Sequence, residues 1–312
     1  MLRYALHDND PNTHHLIYSL KMTQLRDSVF IVTGAASGIG QATAVAAAAA
    51  GARVLASDVN AAGLARTAEL ITAASGQVET ARLDVADADQ VVEYARLVEA
   101  AHPGRRIILF NNAGVALGAG TFEHNTLEEF EWLLSINLWG VVRMTKAFLP
   151  LLRAGGGGHI VNVSSVFGLM GAPESAAYST AKFAVRGFTD TLRNELGGRG
   201  VQVSTVFPGG VRTNISAAAR LGGNRTAAQQ AIVNATFARH ARTSPEQAAA
   251  IILRGIARDQ ARILIGPDAR LIDWLTRLLP SSYGRFLLPL IRRTFTPKAA
   301  LALPDAPVRV AE

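Results

Sequence analysis

The chain contains no cysteine. That removes disulfides, iron–sulfur clusters, thiolate zinc sites and cysteine nucleophiles. Histidine is sparse too, and no two of the seven fall at a metal-ligand spacing on one predicted element, so no metal site is expected. Lysine is scarcer still: Lys21, Lys146, Lys182 and Lys298 are the whole set, and arginine carries the remaining positive charge. No apolar run is long enough to span a bilayer; residues 42–50 are apolar but few and small. The first residues place Asp8, Asp10 and several histidines ahead of any apolar run, unlike a signal peptide. A cytoplasmic location is the expectation that follows.

What is present is a globular composition: 49% hydrophobic and 18% charged over 312 residues, enough for one large domain without a covalent staple. The formal charge of +7 is unevenly placed. Six basic residues between Arg270 and Lys298 face a single acid, Asp273, so the main body is close to balance. Nucleic-acid binding by that body is not suggested.

Residues 1–26 show no period and are expected to form a mobile extension, within which Met22 is a second candidate start. From residue 28 short β-branched runs alternate with helical patterns. Strands are predicted at 28–33, 53–58, 78–83, 107–111, 159–164, 201–207 and 262–265. Helices are predicted at 38–50, 61–74, 88–101, 127–152 and 177–196. Continuous apolar strands alternating with helices imply an α/β fold with a parallel sheet covered on both faces. A doubly wound sheet and a TIM barrel both satisfy the alternation. The glycine turn after the first strand decides for the former, because a phosphate-binding turn belongs there. The expectation is a single-domain Rossmann doubly wound sheet of about seven strands over residues 27–268, with a lid at about 215–243 and a basic, apolar tail at 269–312.

The first strand runs into Gly34-Ala35-Ala36-Ser37-Gly38-Ile39-Gly40. Gly34 permits a tight turn, Gly38 lets backbone approach a pyrophosphate, and Gly40 lets the helix pack close to the sheet. Free N–H groups at the helix start, around Ser37 and Ile39, then face the phosphates. Asp58 ends the second strand, where a carboxylate can accept both ribose hydroxyls and repel a 2′-phosphate. No arginine or lysine lies in the glycine turn or at Val59-Asn60. NAD is therefore favoured over NADP. Asp84-Val85 ends the third strand, where the carboxylate can meet an adenine amino group or cap the next helix. Asn111-Asn112-Ala113-Gly114 ends the fourth, and its small residues let the chain pass close beneath a cofactor; alone it is an ordinary turn.

Tyr178-Ser179-Thr180-Ala181-Lys182 lies on a predicted helix, so Tyr178 and Lys182 share a face. A free tyrosine is a poor base at neutral pH, and a nearby ammonium lowers its pKa. Such a pair can move a hydroxyl proton while hydride moves at a nicotinamide. Ser165, just past the fifth strand, sits where ligands bind in these sheets and can hold a substrate oxygen. Ser164 competes for that role, but alternation sends the two side chains to opposite faces.

Together these residues resemble the short-chain dehydrogenase/reductase (SDR) family. The resemblance covers roughly residues 28–268 and rests on Thr33-Gly34-x3-Gly38-x-Gly40, Asn111-Asn112-Ala113-Gly114, Ser165, Tyr178-x3-Lys182 and Pro208-Gly209, in family order and spacing. It implies that Tyr178 is the general base and acid. Lys182 would lower its pKa and bind ribose, and Ser165 rather than Ser164 would orient substrate. Asn137, in Ile136-Asn137-Leu138, matches the asparagine that supports a proton-relay water through a bent helix. Thr213 would hold the nicotinamide carboxamide, with Pro208, Gly209 and Val211 beside the cofactor.

The expected substrate is a small apolar secondary alcohol or ketone, because Val166-Phe167-Gly168-Leu169-Met170 and Gly210-Val211 should line its pocket. Arg220, Arg225, Arg239 and Arg242 of the lid are expected at the solvated surface. A homo-oligomer, dimer or tetramer, is expected. Two other readings differ: an NADP-dependent carbonyl reductase, and a non-catalytic module that senses nucleotide or mediates assembly. In the tail, Leu271, Ile272, Leu275, Leu278 and Leu279 form one helical stripe that Pro280 ends. The stretch 270–293 therefore packs on the core or an oligomer interface, or lies as a basic amphipathic element on an anionic membrane.

Overall fold

The computed structural model of the protein describes residues 23–118 and 120–295. The Met22 start, the extension up to residue 22 and the tail beyond residue 295 lie outside the described residues. Seven strands form one parallel sheet in the order β3-β2-β1-β4-β6-β7-β9. They are β1 (Val29–Thr33), β2 (Arg53–Asp58), β3 (Gln77–Arg82), β4 (Ile107–Asn111), β6 (Gly158–Val163), β7 (Val201–Pro208) and β9 (Arg262–Ile265). A two-residue ladder pairs β5 (Leu117–Gly118) with β8 (Arg220–Leu221), which the sequence pattern did not announce. The chain reverses direction across the sheet between β1 and β4, and their C-terminal ends open a crevice there.

Alternate residues of the central strands feed two separate cores. Phe30, Val32, Val54, Phe110 and Val161 point to one face, under α1 (Gly38–Ala49), α2 (Ala61–Ala73) and α8 (Pro245–Ala257). Val29, Ile31, Leu55, Leu109 and Ile160 point to the other, under α3 (Ala88–Ala101), α5 (Val141–Ala154) and α6 (Ala176–Leu196). Burial on both sides explains why these strands read as unbroken apolar runs. The helix starts are set by local chemistry. Asn60 accepts from Gly63 N–H and Asp87 from Asp89 and Gln90 N–H. Thr126/Glu129, Thr226/Gln229 and Ser244/Gln247 form reciprocal capping boxes at α4 (Leu127–Leu134), α7 (Ala227–His240) and α8.

Three expectations are corrected. The predicted helix 127–152 is interrupted: a π-helical turn, Ser135–Gly140, separates α4 from α5. The wider turn carries Asn137 to the Val115 backbone and lays Gly140 against Val85, where a side chain would collide. The ordered domain also begins before residue 27. Thr23 is buried, lies 3.0 Å from His159 Nδ1 and hydrogen-bonds Asp259, while Leu25 packs on the core. Finally, the expected boundary at 268/269 falls inside a helix: α9 (Pro267–Leu278) runs across it and α10 (Tyr283–Phe295) follows, so this stretch packs on the core, the first of the arrangements expected for it. Ile272, Leu287 and Ile291 join Phe167, Met170 and Phe207 in a third apolar cluster.

Candidate active site

The glycine turn is built by an interlock between the ends of β1 and β4. Thr33 Oγ1 accepts from Asn112 N–H at 3.1 Å and Ala113 N–H at 3.0 Å. Asn112 Nδ2 donates back to the Thr33 and Gly34 carbonyls at 3.0 and 3.1 Å. Gly34 needs its glycine: φ is +68°, and a Cβ would sit 2.8 Å from the Ala113 Cα. Gly40 needs its own for another reason, since a Cβ there would overlap the Gly34 carbonyl oxygen. Ser37 is exposed and its side chain makes no capping bond, so the first N–H groups of α1 face the crevice together with its hydroxyl. Ile39 is partly buried and packs on the core. Thr213, after Pro208 and Gly209 at the end of β7, places its methyl 3.1 Å from where Gly38 would carry a Cβ. The cradle is thus lined from both sides and shaped for a ligand that comes close to backbone.

Asp58 stands at the rim of this turn. Its carboxylate accepts from Ala36 N–H at 3.0 Å and Asn60 N–H at 2.9 Å, which fixes its position with oxygen lone pairs to spare. Asp84 accepts from Ala86 N–H at 2.9 Å; the cap of α3 is Asp87, not Asp84. Val85 is buried against Gly140. Two expected cofactor contacts do not have their side chains at the cradle. Asn111 is turned into the core, where its Nδ2 donates to Thr145 Oγ1 and Asn162 Oδ1. Val211 is buried in the core too, and its N–H is bonded to the Gly209 carbonyl. Thr33 and Asn112 stand in the expected motifs without a role of their own there, and Asp268 has no place in the expected site at all. Asp268 accepts from Gly210 N–H at 2.6 Å and holds the Pro208-Gly209-Gly210 loop. No local pattern marks it, since the partners lie 58 residues apart.

At the next strand end the expected quartet converges. Lys182 is 3% exposed and donates from Nζ to the Val163 carbonyl at 3.0 Å, and Nζ lies 5.7 Å from the Tyr178 ring centre. The Ser165 hydroxyl stands near enough to the Tyr178 phenol to draw its pKa down, and it accepts from Phe167 N–H at 3.1 Å. Ser164 points the other way, donating to the Lys182 carbonyl and pinning α6 to β6. Asn137 is fully buried, taking Val115 N–H and giving to Val115 C=O, both at 2.8 Å. Gly114 lies between Asn137 Oδ1 and Lys182 Nζ, so all three meet at one point of the crevice. The Phe167 ring meets Tyr178 edge-on at 6.1 Å.

Burial pulls Lys182 down to about 8. The Tyr178 phenol is pushed above its ordinary value by burial, an effect the neighbouring Ser165 hydroxyl partly offsets. The expected lowering by Lys182 does not dominate in the protein alone, because desolvation acts on the phenolate itself.

The loop at 166–170 also differs from expectation. Val166 is partly buried, whereas Phe167 and Met170 turn into the cluster under α9 and α10 instead of lining an open pocket. Val115, Leu117 and Leu138 form the apolar surroundings of Tyr178 on the other side. In the lid, Arg225 is not solvated: it forms a buried ion pair with Glu174 of the loop before α6. Arg220 stacks 5.0 Å over Trp132, and Gly223 N–H donates to Glu129. Arg239 and Arg242 are exposed, as expected.

The family model described as short chain dehydrogenase matches residues 28–222. The chain belongs to that family. The SDR assignment is supported by a Mycobacterium tuberculosis protein, SadH, which is 40% identical over 276 residues, covering 88% of this chain and 99% of SadH. Among solved structures, an SDR from Burkholderia phymatum in complex with NAD superposes with a TM-score of 0.72 at 27% identity, covering 93% of this chain and all of the other. A metagenomic short-chain oxidoreductase in complex with NADP gives 0.63 at 28% identity, covering 78% of this chain and 98% of the other. The protein is thus an oxidoreductase of the SDR family, with neighbours that hold either nicotinamide cofactor.

Proposed function

We propose that this SDR protein is an NAD-dependent dehydrogenase or reductase of apolar secondary alcohols and ketones, with Tyr178 as general base and acid. The observation that carries this is the convergence of Tyr178, Lys182, Ser165 and Asn137 beside a backbone cradle that side chains would block. Bound in that cradle, the nicotinamide dinucleotide supplies the hydride acceptor or donor. The work of the protein is to place and move one proton. Ser165, its oxygen already engaged by Phe167 N–H, donates its hydroxyl hydrogen to the substrate oxygen and holds it against Tyr178. During oxidation the phenolate takes the alcohol proton; during reduction the phenol returns it to the carbonyl oxygen. The Lys182 ammonium opposes the burial of the phenolate, and its N–H groups not used by Val163 are free for a ribose hydroxyl. Asn137 holds the loop at Val115, between β4 and β5, so that Gly114 stays beside Lys182.

NAD is favoured because Asp58 sits at the rim with two backbone donors fixing it, and no cation neighbours it in the turn. A 2′-phosphate would be repelled by that carboxylate. The apolar substrate class is supported by Val115, Leu117, Leu138 and Val166 around Tyr178, and by the neutralised Arg225–Glu174 pair.

The test is turnover of NAD(H) and NADP(H), followed by absorbance, with a panel of apolar secondary alcohols and ketones. Faster turnover with NAD(H), abolished in Tyr178→Phe while cofactor binding persists, is expected. Turnover that survives in Tyr178→Phe would refute the proton role, and a preference for NADP(H) would refute the role of Asp58.

A further inference from the structure

The helices α9 and α10 are apolar on both sides. Their inner stripe, with Ile272, Leu275, Leu287 and Ile291, is already covered by the cluster around Phe167 and Met170. Their outer side still carries Leu271, Trp274, Leu278 and Phe286, each about half exposed or more, with Trp274 at 59%. Arg270, Trp274, Arg277 and Leu278 follow one another along the outer stripe of α9 at helical spacing. Arg285 and Arg292 are exposed on α10. The acids of this region are consumed: Asp273 pairs with Arg262 and Arg277, and Asp268 accepts from Gly210. Arg270, Arg285 and Arg292 have no acidic partner among the described residues. Next to α9 a cleft of about 260 Å³ is lined by Arg254, Arg258, Arg262 and Arg270, with no carboxylate in its wall. Arg270 belongs to both the cleft and the apolar stripe.

We propose that this face is a docking surface for an anionic lipid bilayer. Indole and aliphatic side chains seat at the level of the headgroups, and arginines pair with lipid phosphates. A second copy of the chain is a poorer occupant. Two-fold pairing would set the same arginines against one another with no acid between them. No described helix is long and apolar enough to cross a membrane, so the contact is peripheral. The inner side of α9 packs on the loop that reaches Tyr178. One helix therefore separates the bilayer from the site where, on the proposed reaction, a lipophilic substrate is held. Docking itself is read without turnover, so its failure and that of the proposed reaction are separable.

The test is co-sedimentation of the full chain with phosphatidylcholine vesicles, with and without phosphatidylglycerol. Binding only to the anionic vesicles, weakened by high salt, is expected. The double substitution Arg270→Glu and Arg277→Glu should lower partitioning on the order of tenfold or more. The emission of Trp274 should shift to the blue on binding. Trp274→Phe should lose that shift, and Trp139→Phe, at an exposed position on the π turn, should keep it. All three variants alter exposed positions, and thermal melting checks that they fold. No binding, equal binding to neutral vesicles, or binding indifferent to the arginine reversals would overturn the proposal. So would a change in oligomeric mass of Arg270→Glu/Arg277→Glu without vesicle binding by the parent, which would make the face an interface between copies.

Discussion

Asn137→Ala tests how the π turn supports the site. The side chain makes two 2.8 Å bonds to one residue, taking the Val115 N–H and giving to its carbonyl. Each bond contributes about 1 kcal/mol net, and stranding a partly buried amide group adds to that, so the loss is about 2–4 kcal/mol. For a domain of this size the melting temperature should fall by roughly 5–10 °C. Release of Val115 also frees Gly114, which lies against Lys182 Nζ. Displacement of a positioning group by about 1 Å can lower kcat on the order of a hundredfold. Asn137→Asp gives a second point. It keeps the acceptor toward Val115 N–H but sets an oxygen against Val115 C=O, so it should melt below the parent as well. Calorimetric melting and steady-state kinetics read both effects. If Asn137→Ala melts within about 1 °C of the parent and turns over at the parental rate, the loop is held by something other than Asn137. A large loss of kcat with no change in melting would point to a direct role in proton relay instead.

Asp58→Ser should raise kcat/KM for NADP(H) and lower it for NAD(H), since the repulsion and the ribose acceptor are lost together; an unchanged ratio would show that the carboxylate does not face the ribose. Arg225→Ala strands the Glu174 carboxylate, buried in the loop before α6, at a cost of about 3 kcal/mol, and should raise KM for substrate while the cofactor dissociation constant holds. Equal effects on both constants would separate the pair from the substrate side. His159 is neutral in the fold: burial above all, with the Arg193 charge, lowers it from 6.5 to about 3. Burial outweighs the attraction of Asp259, 3.5 Å away. The unfolded chain takes up the proton near pH 6.5, so this contribution to stability is complete above that pH. It falls toward pH 3 by up to about 1.4 kcal/mol per pH unit. Urea midpoints of His159→Gln should show a shallower acid slope than the parent; parallel slopes would assign the acid loss to other groups.

The sheet was legible because its central strands are buried on both faces and read as apolar runs between helices with clear caps. The glycine turn was legible because its demands are local: a left-handed φ at Gly34 and a close approach at Gly40. Spacing put Tyr178 and Lys182 on one helix face, and the resemblance, not the spacing, chose Ser165 over Ser164. What escaped the sequence is non-local or non-periodic. The π turn leaves the apolar spacing of 127–152 nearly intact, so one continuous helix was expected. The Arg225–Glu174 pair joins positions 51 residues apart, and arginine at a loop ordinarily signals solvent. Asn111 looked like part of a cofactor turn, yet the strand pleat sends its amide inward to Asn162. The helical stripe of 271–279 was legible, but not what covers it, because only the fold places Phe167 and Met170 beneath it.

The anchoring of Thr23 has a geometric consequence. It meets His159 at the start of β6 and Asp259 just before β9, at the N-terminal ends of strands. The crevice lies at the opposite ends, roughly 20 Å away along a six-residue strand. The molecule therefore has two poles. One gathers the cradle, the proton-moving quartet and the beginning of α9; the other receives the chain at its first described residue. A label or surface tether joined ahead of Thr23 is thus attached at the pole remote from the chemistry, which leaves the working end free to face whatever it meets.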